Sequence, residues 1–395
     1  MAHGSRRRQK SRRPHSPVSS THAEKSDEQK FLDDVSQLFE ERSPDFSKTI
    51  NIALVGKVSS GKSSLMNAIL RRTRDNPAVA VGATSGVTTA ITSYRLHDQF
   101  LIIDSPGLDD VIAENSQETN DFLHHVDLGI LVVTDSADSA QKKHYDDLKH
   151  HAKKVVVVLN KVDLWDDYEP SALQDVLDQW KRILGADAVY PTCTKGYDPK
   201  SRPDTPLALR GVDEVRDEIE RFFHSEKKDV IFAHLMGNKT PYAITYITLA
   251  LLAVAGEAFL PGSTVYITVT QASTICALYF LYFGRKIELG SVLAALPSFI
   301  AKSIGLNLFL WIQTFVPPTG VVNVAAALVA VSITLAMLAT VNYMFARGYE
   351  LDQKEVLQDK YMELKRLADE VLRGTNIADL LKPDFWQRVV TAFVS

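Results

Sequence analysis

Short residue patterns at three places in this chain could together handle a nucleotide. The first is Gly56-Lys57-Val58-Ser59-Ser60-Gly61-Lys62-Ser63, which reads G-x-x-x-x-G-K-S directly after the apolar run Ile50 to Val55. Glycines at its ends let the backbone fold tightly round an anion, so that N–H groups and the start of the following helix all point at it. Gly56, Ser59, Ser60, Gly61, Lys62, Ser63 and Ser64 are the candidate phosphate contacts. Lys62 would reach the β- and γ-phosphates, and Ser63 would place its hydroxyl on Mg2+. The second pattern is Asp104-Ser105-Pro106-Gly107 at the end of a strand-like run. Asp104 can hold the magnesium shell through water, while the Gly107 N–H can meet the γ-phosphate. The third is Asn160-Lys161-Val162-Asp163. The two oxygens of Asp163 can take the N1–H and the exocyclic amine of guanine in one bidentate contact, for which adenine offers no matching donors. Asn160 can tie this turn to the phosphate loop, and the stem of Lys161 can cover the base.

These residues need a parallel sheet to bring them to one edge. Ile91 to Leu96, Phe100 to Asp104, Val126 to Thr134 and Val155 to Leu159 all read as strands. The last is a continuous β-branched run suited to a sheet covered on both faces. A helix is expected over Ser64 to Arg72, and a closing amphipathic helix over Gly211 to Ser225. Ligands of open α/β sheets bind at the carboxyl edge of such strands, where Asn160 and Asp163 fall.

With its motifs in this order, the stretch from about residue 48 to 225 resembles a translation-factor-class GTPase of the bacterial Era and TrmE group. The resemblance implies GTP and GDP as ligands with Mg2+, and a P-loop fold with a central, mostly parallel sheet. It also implies that Thr192-Cys193-Thr194 stands where the group has Ser-Ala-Lys or Ser-Ala-Thr, with the Cys193 N–H meeting the guanine carbonyl oxygen. Ser85-Gly86-Val87-Thr88-Thr89 is similar to the group's first switch, which makes Thr88 the magnesium ligand that follows the γ-phosphate, with Thr89 the alternative. Lys62, Thr88 and Gly107 are then the residues assigned to catalysis. Leu108 stands where Ras-type enzymes carry the glutamine that orients water, and a leucine cannot orient water. Slow turnover, stimulated by a protein effector or by self-association across the nucleotide face, is the expectation.

Charge is distributed very unevenly over the 395 residues. Residues 1–25 carry Arg6, Arg7, Arg8, Lys10, Arg12 and Arg13 and read as a disordered basic arm. That arm could also meet anionic lipid or RNA. Residues 26–46 read as an amphipathic helix opened by a Ser26/Gln29 capping box and packed on the domain that follows. Only Cys193 and Cys276 are present, so there is no disulfide framework or zinc spacing.

Between Thr240 and Ala346 the only charged residues are Glu257, Arg285, Lys286, Glu288 and Lys302. Apolar stretches run over Tyr242 to Leu260, Thr264 to Phe283, Leu289 to Val316 and Val321 to Ala346, divided by Pro261-Gly262 and Pro317-Pro318. A bilayer core of about 30 Å needs roughly 20 helical residues, so each stretch is long enough or nearly so. If all of them cross, the GTPase domain and both termini lie on the cytoplasmic side. Glu257 and Lys302 weigh against that, because a charge at mid-membrane costs about 2.5 to 3.5 kcal/mol. One hairpin, a reversibly inserting bundle or a soluble hydrophobic bundle are the other readings. The block also resembles a hydrophobic domain that follows Era-like GTPases in bacterial proteins, on Pro261-Gly262, Gln271, Phe283-Gly284 and Phe315-Val316-Pro317 to Gly320. In residues 347–395, Leu357, Tyr361, Leu364, Ala368 and Val371 lie at helical spacing and are expected to pack back on the GTPase domain. Phe385, Trp386, Val389, Val390 and Phe393 share one face of a last helix, docked or interfacial.

The chain therefore reads as an α/β GTPase joined to an all-α hydrophobic domain, with a lipid membrane as its first expected partner. A GTPase-regulated transporter and an RNA or ribosome-assembly factor are the competing classes. Nucleic acid is not an expected partner, since no RNA-binding module follows the GTPase domain.

Overall fold

The computed structural model describes residues 20–80, 92–105, 125–197, 201–202, 204–260, 263–299 and 324–394. Its sheet has the order β2-β3-β1-β4-β5-β6, formed by β1 (Ile50–Val55), β2 (Thr92–His97), β3 (Phe100–Ser105), β4 (Leu128–Val133), β5 (Lys154–Leu159) and β6 (Tyr190–Pro191). All neighbours are parallel except the β2–β3 hairpin. Strands buried on both faces explain the apolar runs. Ile52, Leu54, Ile102, Ile130, Val156 and Val158 enter one core, while Ala53, Val55, Ile103, Leu131, Val157 and Leu159 enter the other. This alternation is the period of two that a pleated strand imposes.

The second core is closed by α3 (Ser139–His151) and α4 (Pro170–Leu184), through Tyr145, Leu148, Leu177, Trp180 and Leu184. The first is covered by α2 (Lys62–Ile69) and α5 (Val212–Ser225). It then continues without a break through α6 (Asp229–Leu235) into the apolar helices. A small antiparallel pair, β7 (Cys193–Lys195) and β8 (Ala208–Arg210), follows the main sheet.

The carboxyl half is helical. It comprises α7 (Thr240–Glu257), α8 (Ser263–Phe283), α9 (Leu289–Ala295) with a 3-10 turn at Leu296–Phe299, α10 (Val324–Ala346), α11 (Lys354–Leu372), α12 (Ile377–Leu380) and α13 (Pro383–Val394). By length and composition, Thr240–Glu257, Ser263–Phe283 and Ala327–Ala346 could each cross a membrane. The third apolar stretch differs from its expectation as a long span. Its described part is a short helix running into a 3-10 turn at Pro297, where proline withholds the N–H a longer helix needs, and residues 300–323 lie outside the described set.

Other expectations are corrected by the packing. The amino-terminal helix, α1, spans Ser20–Arg42, so it begins before Ser26 and runs into the segment read as a disordered arm. It packs on α8, where Val35 is fully buried, instead of on the nucleotide domain. Phe46, just after it, stacks on Phe280 of α8 at 5.2 Å. The helix α11 lies along α10 and not on the GTPase domain, because α10 offers it an apolar surface on which to bury Leu357, Tyr361, Leu364, Ala368 and Leu372. Leu372, not Val371, is the last buried position, and Val371 stays 44% exposed. The last helix, α13, is docked on α7 and α10 through Trp386 and Val390.

Candidate functional site

The loop between β1 and α2 owes its shape to its glycines. Gly56 has φ 151° and a Cβ there would lie 2.2 Å from the Val132 carbonyl oxygen. Gly61 has φ 89° and a Cβ there would lie 2.4 Å from Asn160 Nδ2. Both positions therefore exclude side chains for reasons of space as well as torsion. Ser59 is also left-handed, at φ 65°, and exposed, while Ser60 is buried and Ser64 is half-buried in the first turn of α2.

Lys62 is buried, and its Nζ donates to the carbonyl oxygens of Gly56 at 2.9 Å and Lys57 at 3.3 Å. The same Nζ lies 3.5 Å from Asp104 Oδ1. Ser63 Oγ donates to Asp104 Oδ2 at 2.9 Å, so the first and second sequence patterns meet at one point. Asp104 Oδ1 is buried and accepts no hydrogen bond, an arrangement that suits a cation beside a hydroxyl and a carboxylate. The residues present thus fit Mg2+.

The guanine turn is built on the carboxyl edge of β5. Asn160 is fully buried, and its Nδ2 donates to the Ser60 carbonyl oxygen at 2.9 Å, which binds this turn to the phosphate loop. Its Oδ1 accepts from Thr192 Oγ1 at 3.1 Å and from Thr194 Oγ1 at 3.4 Å. Lys161 takes a left-handed φ of 65°, opening the 3-10 turn Val162–Trp165 that carries Asp163. Backbone bonds from Thr192 N to Leu159 O (2.8 Å) and from Val162 N to Thr192 O (3.0 Å) clamp the Thr192-Cys193-Thr194 segment against this turn. The structure thus brings together every predicted site residue except Thr88 and Gly107, which lie outside the described residues along with Thr89 and Leu108.

The sequence assigned Cys193 only a backbone role, and it did not single out Lys195, Arg210, Asp166 or Asn67. Cys193 is fully buried and its Sγ lies 3.4 Å from Asp163 Oδ1, while Lys195 Nζ is 3.7 Å from Asp163 Oδ2. Arg210 grips Asp166 with two bonds of 2.9 Å, which steadies the turn and holds the Asp166 carboxyl below its ordinary pKa. Asn67 is fully buried in α2, and its Oδ1 accepts from the N–H groups of Ala78 (2.7 Å) and Val79 (3.1 Å), anchoring the chain on its way to the Thr88 loop. A polar residue at i+4 from Ser63 on the apolar side of that helix was the available signal. A thiol is a weak donor that can orient Asp163 without using up the lone pairs a base would need. Cys193→Ala should therefore weaken GDP binding by about three- to tenfold, with Cys193→Ser close to wild type in a fluorescent-nucleotide titration. Equal affinity of the alanine variant would mean that the contact does not position Asp163.

The family described as "50S ribosome-binding GTPase" matches residues 51–161. GTPase Era of Stenotrophomonas maltophilia (strain K279a) is 27% identical over 215 residues, covering 49% of this chain and 69% of its own. The Fe(2+) transporter FeoB of Helicobacter pylori is 33% identical over 185 residues, 45% of this chain and 26% of its own. The tRNA modification GTPase MnmE of Nitratidesulfovibrio vulgaris (strain DP4) is 36% identical over 121 residues, 29% of this chain and 25% of its own. The chain thus spans about a quarter of the length of the last two relatives. The phosphate loop, Asp104, Asn160 and Lys161 fall within residues 51–161, and this part of the chain is a P-loop GTPase domain similar to those of Era and MnmE.

Proposed function

We propose that this chain is a membrane-associated GTPase that binds GTP with Mg2+, hydrolyses it slowly and acts as a nucleotide-dependent switch at a lipid surface. The observation that carries the nucleotide part is the 2.9 Å bond from Asn160 to the Ser60 carbonyl, which sets Asp163 and Lys62 at the two ends of one binding edge. In this reading Asp163 takes the guanine edge, and the Cys193 N–H faces the guanine carbonyl. The loop from Gly56 to Ser64 wraps the phosphates. Ser63 and Asp104, with Thr88 from the first switch, would hold Mg2+, which when bound offsets the charge of the terminal phosphates. Lys62 leaves its carbonyl partners for the β- and γ-phosphates, and Gly107 offers its N–H to the last of them. With leucine at 108, the chain itself supplies no side chain there to orient water, so turnover depends on an effector or a second copy across the nucleotide face.

The membrane part is supported by the apolar helices and by the basic arm at residues 6–13. Glu257, the one acidic residue within α7, is neutralised in place. Arg42 Nη1 lies 3.3 Å from it, and Thr270 Oγ1 donates to its oxygens at 3.0 and 2.9 Å. Purified full-length protein should bind GTP far more tightly than ATP and turn over slowly, and Lys62→Ala should cut the rate about a hundredfold. Native protein should resist extraction from membranes by alkaline carbonate. Equal use of ATP would overturn the nucleotide assignment, and full release into the supernatant of a detergent-free lysate would overturn the membrane assignment.

A further inference from the structure

The helix α10 can be satisfied in two environments that exclude each other. It carries no Asp, Glu, Lys or Arg from Val324 to Ala346 and is apolar on every side, the character of either a buried core helix or a membrane span. In the described structure it is a core helix, with 83% of the Ala327–Ala346 window buried against 39% for α7. Its covers are α7, α8, α11 and α13.

One of those covers cannot accompany it into lipid. The helix α11 returns along α10, and Ser332 Oγ donates to Asp369 Oδ1 at 2.6 Å. Ser332 lies 14 residues before Ala346, so Asp369 sits about 21 Å along α10 from that end. Away from that seam α11 carries Asp359, Glu363, Arg366 and Glu370, all exposed. Were α10 to span a bilayer with α11 attached, these charges would be drawn into hydrocarbon, and the pairs Lys360–Glu363 and Lys365–Asp369 would not offset the cost of taking the whole face out of water.

We propose that the surface of α10 now covered by α11 is a lipid-binding surface, and that a bilayer and α11 compete for it. This rests on the membrane reading above and specifies which segment enters and what must leave. The connection between the two helices is short, Arg347–Gln353, with Gly348 at φ 76°. It is pinned at Glu350, whose carboxylate accepts from Tyr279 Oη at 3.3 and 3.1 Å and pairs with Arg285. An α11 that swings away about this pinned turn leaves α10 in place against α8. At the same end, the Arg347 guanidinium lies 3.8 Å over the Tyr343 ring. An aromatic and basic collar of this kind belongs at a headgroup layer.

The test is a full-length Ser332→Cys/Asp369→Cys double variant joined by a short, reducible bis-thiol cross-linker. Position 332 is itself buried, so burial does not separate it from the native thiols; Cys193 is replaced by serine and Cys276 by alanine beforehand, and only the introduced pair is left to react. Flotation is measured with vesicles of phosphatidylglycerol and phosphatidylethanolamine, and GTP hydrolysis reports that both forms are folded. The expected result is that the linked form stays in the aqueous fraction and reduction returns it to the vesicles. Equal flotation of linked and reduced forms would overturn the proposal and leave the membrane reading standing. Flotation of neither form would overturn both. Should the double variant not fold, Ser332→Ala carries the test, with an expected rise of about fivefold in the vesicle-bound fraction from loss of one charge-assisted bond. No rise in that fraction would overturn the competition.

Discussion

Asp163→Asn is expected to lower GTP affinity by roughly two to three orders of magnitude and to raise affinity for xanthosine triphosphate. The carboxylate offers acceptors to two donors on the guanine edge. An amide replaces one acceptor with an N–H pair, so a donor would face a donor, and one hydrogen bond to a charged group is lost and one repulsion gained. Xanthine presents a carbonyl where guanine presents its amine, which restores the match. The turn itself should survive. It is held by Asn160 on Ser60, by Val162 N on Thr192 O and by the Arg210 grip on Asp166, none of which uses Asp163. Two nucleotide titrations of the folded variant check this. Unchanged GTP affinity would show that Asp163 does not read the base.

That site was largely legible in the sequence because its constraints are local. A glycine that must avoid Val132 O, a lysine that must reach back over its own loop and an acid at the end of a buried strand leave short, ordered patterns. The strand assignments held for the same reason, since β4 and β5 are buried on both faces and spell continuous apolar runs. What pairing across long sequence distances decides was not legible. Nothing within α11 tells whether its apolar stripe meets the sheet or α10, and the packing of the two helices decides it. The start of α1 was misjudged because Ser26 and Gln29 satisfy a capping pattern that the surrounding helix overrides. Similarly, the motif gives Cys193 a role through its N–H alone, and only the placement of β7 brings its thiol beside Asp163. The short helix α6 carried no distinct signal, although it joins the two halves. Gly237, just after it, donates its N–H to Leu70 O at 2.8 Å, and a Cβ there would lie 2.2 Å from Arg71 O.

Acid should loosen this joint before it harms the rest of the protein. His234 on α6 donates from Nδ1 to the Leu281 carbonyl oxygen at 3.0 Å and meets the His97 ring edge-on at 5.2 Å. His97 lies at the tip of the β2–β3 hairpin, so this contact links the edge of the nucleotide-domain sheet to the apolar helix α8. The fit is close, since a Cβ on Gly284 would lie 2.4 Å from His234 Nε2. Burial pushes the His234 pKa down to about 4, against the Leu281 bond that favours the charged ring, and nearby Lys239, His97 and Arg72 push in the same direction as burial. The unfolded chain, with its histidine near 6.5, therefore binds the proton more readily than the folded one. Stability from this group is intact above pH 6.5, falls as pH drops from 6.5 to 4, and by pH 5 is lower by about 2 kcal/mol. Lys239, pushed down to about 8 by burial, titrates outside that window. His234→Gln keeps a donor for Leu281 but cannot titrate. Urea unfolding of wild type and variant at pH 7 and pH 5 should show the wild type losing about 2 kcal/mol more than the variant over that interval. Parallel losses in the two proteins would mean that the ring takes up its proton without leaving the joint.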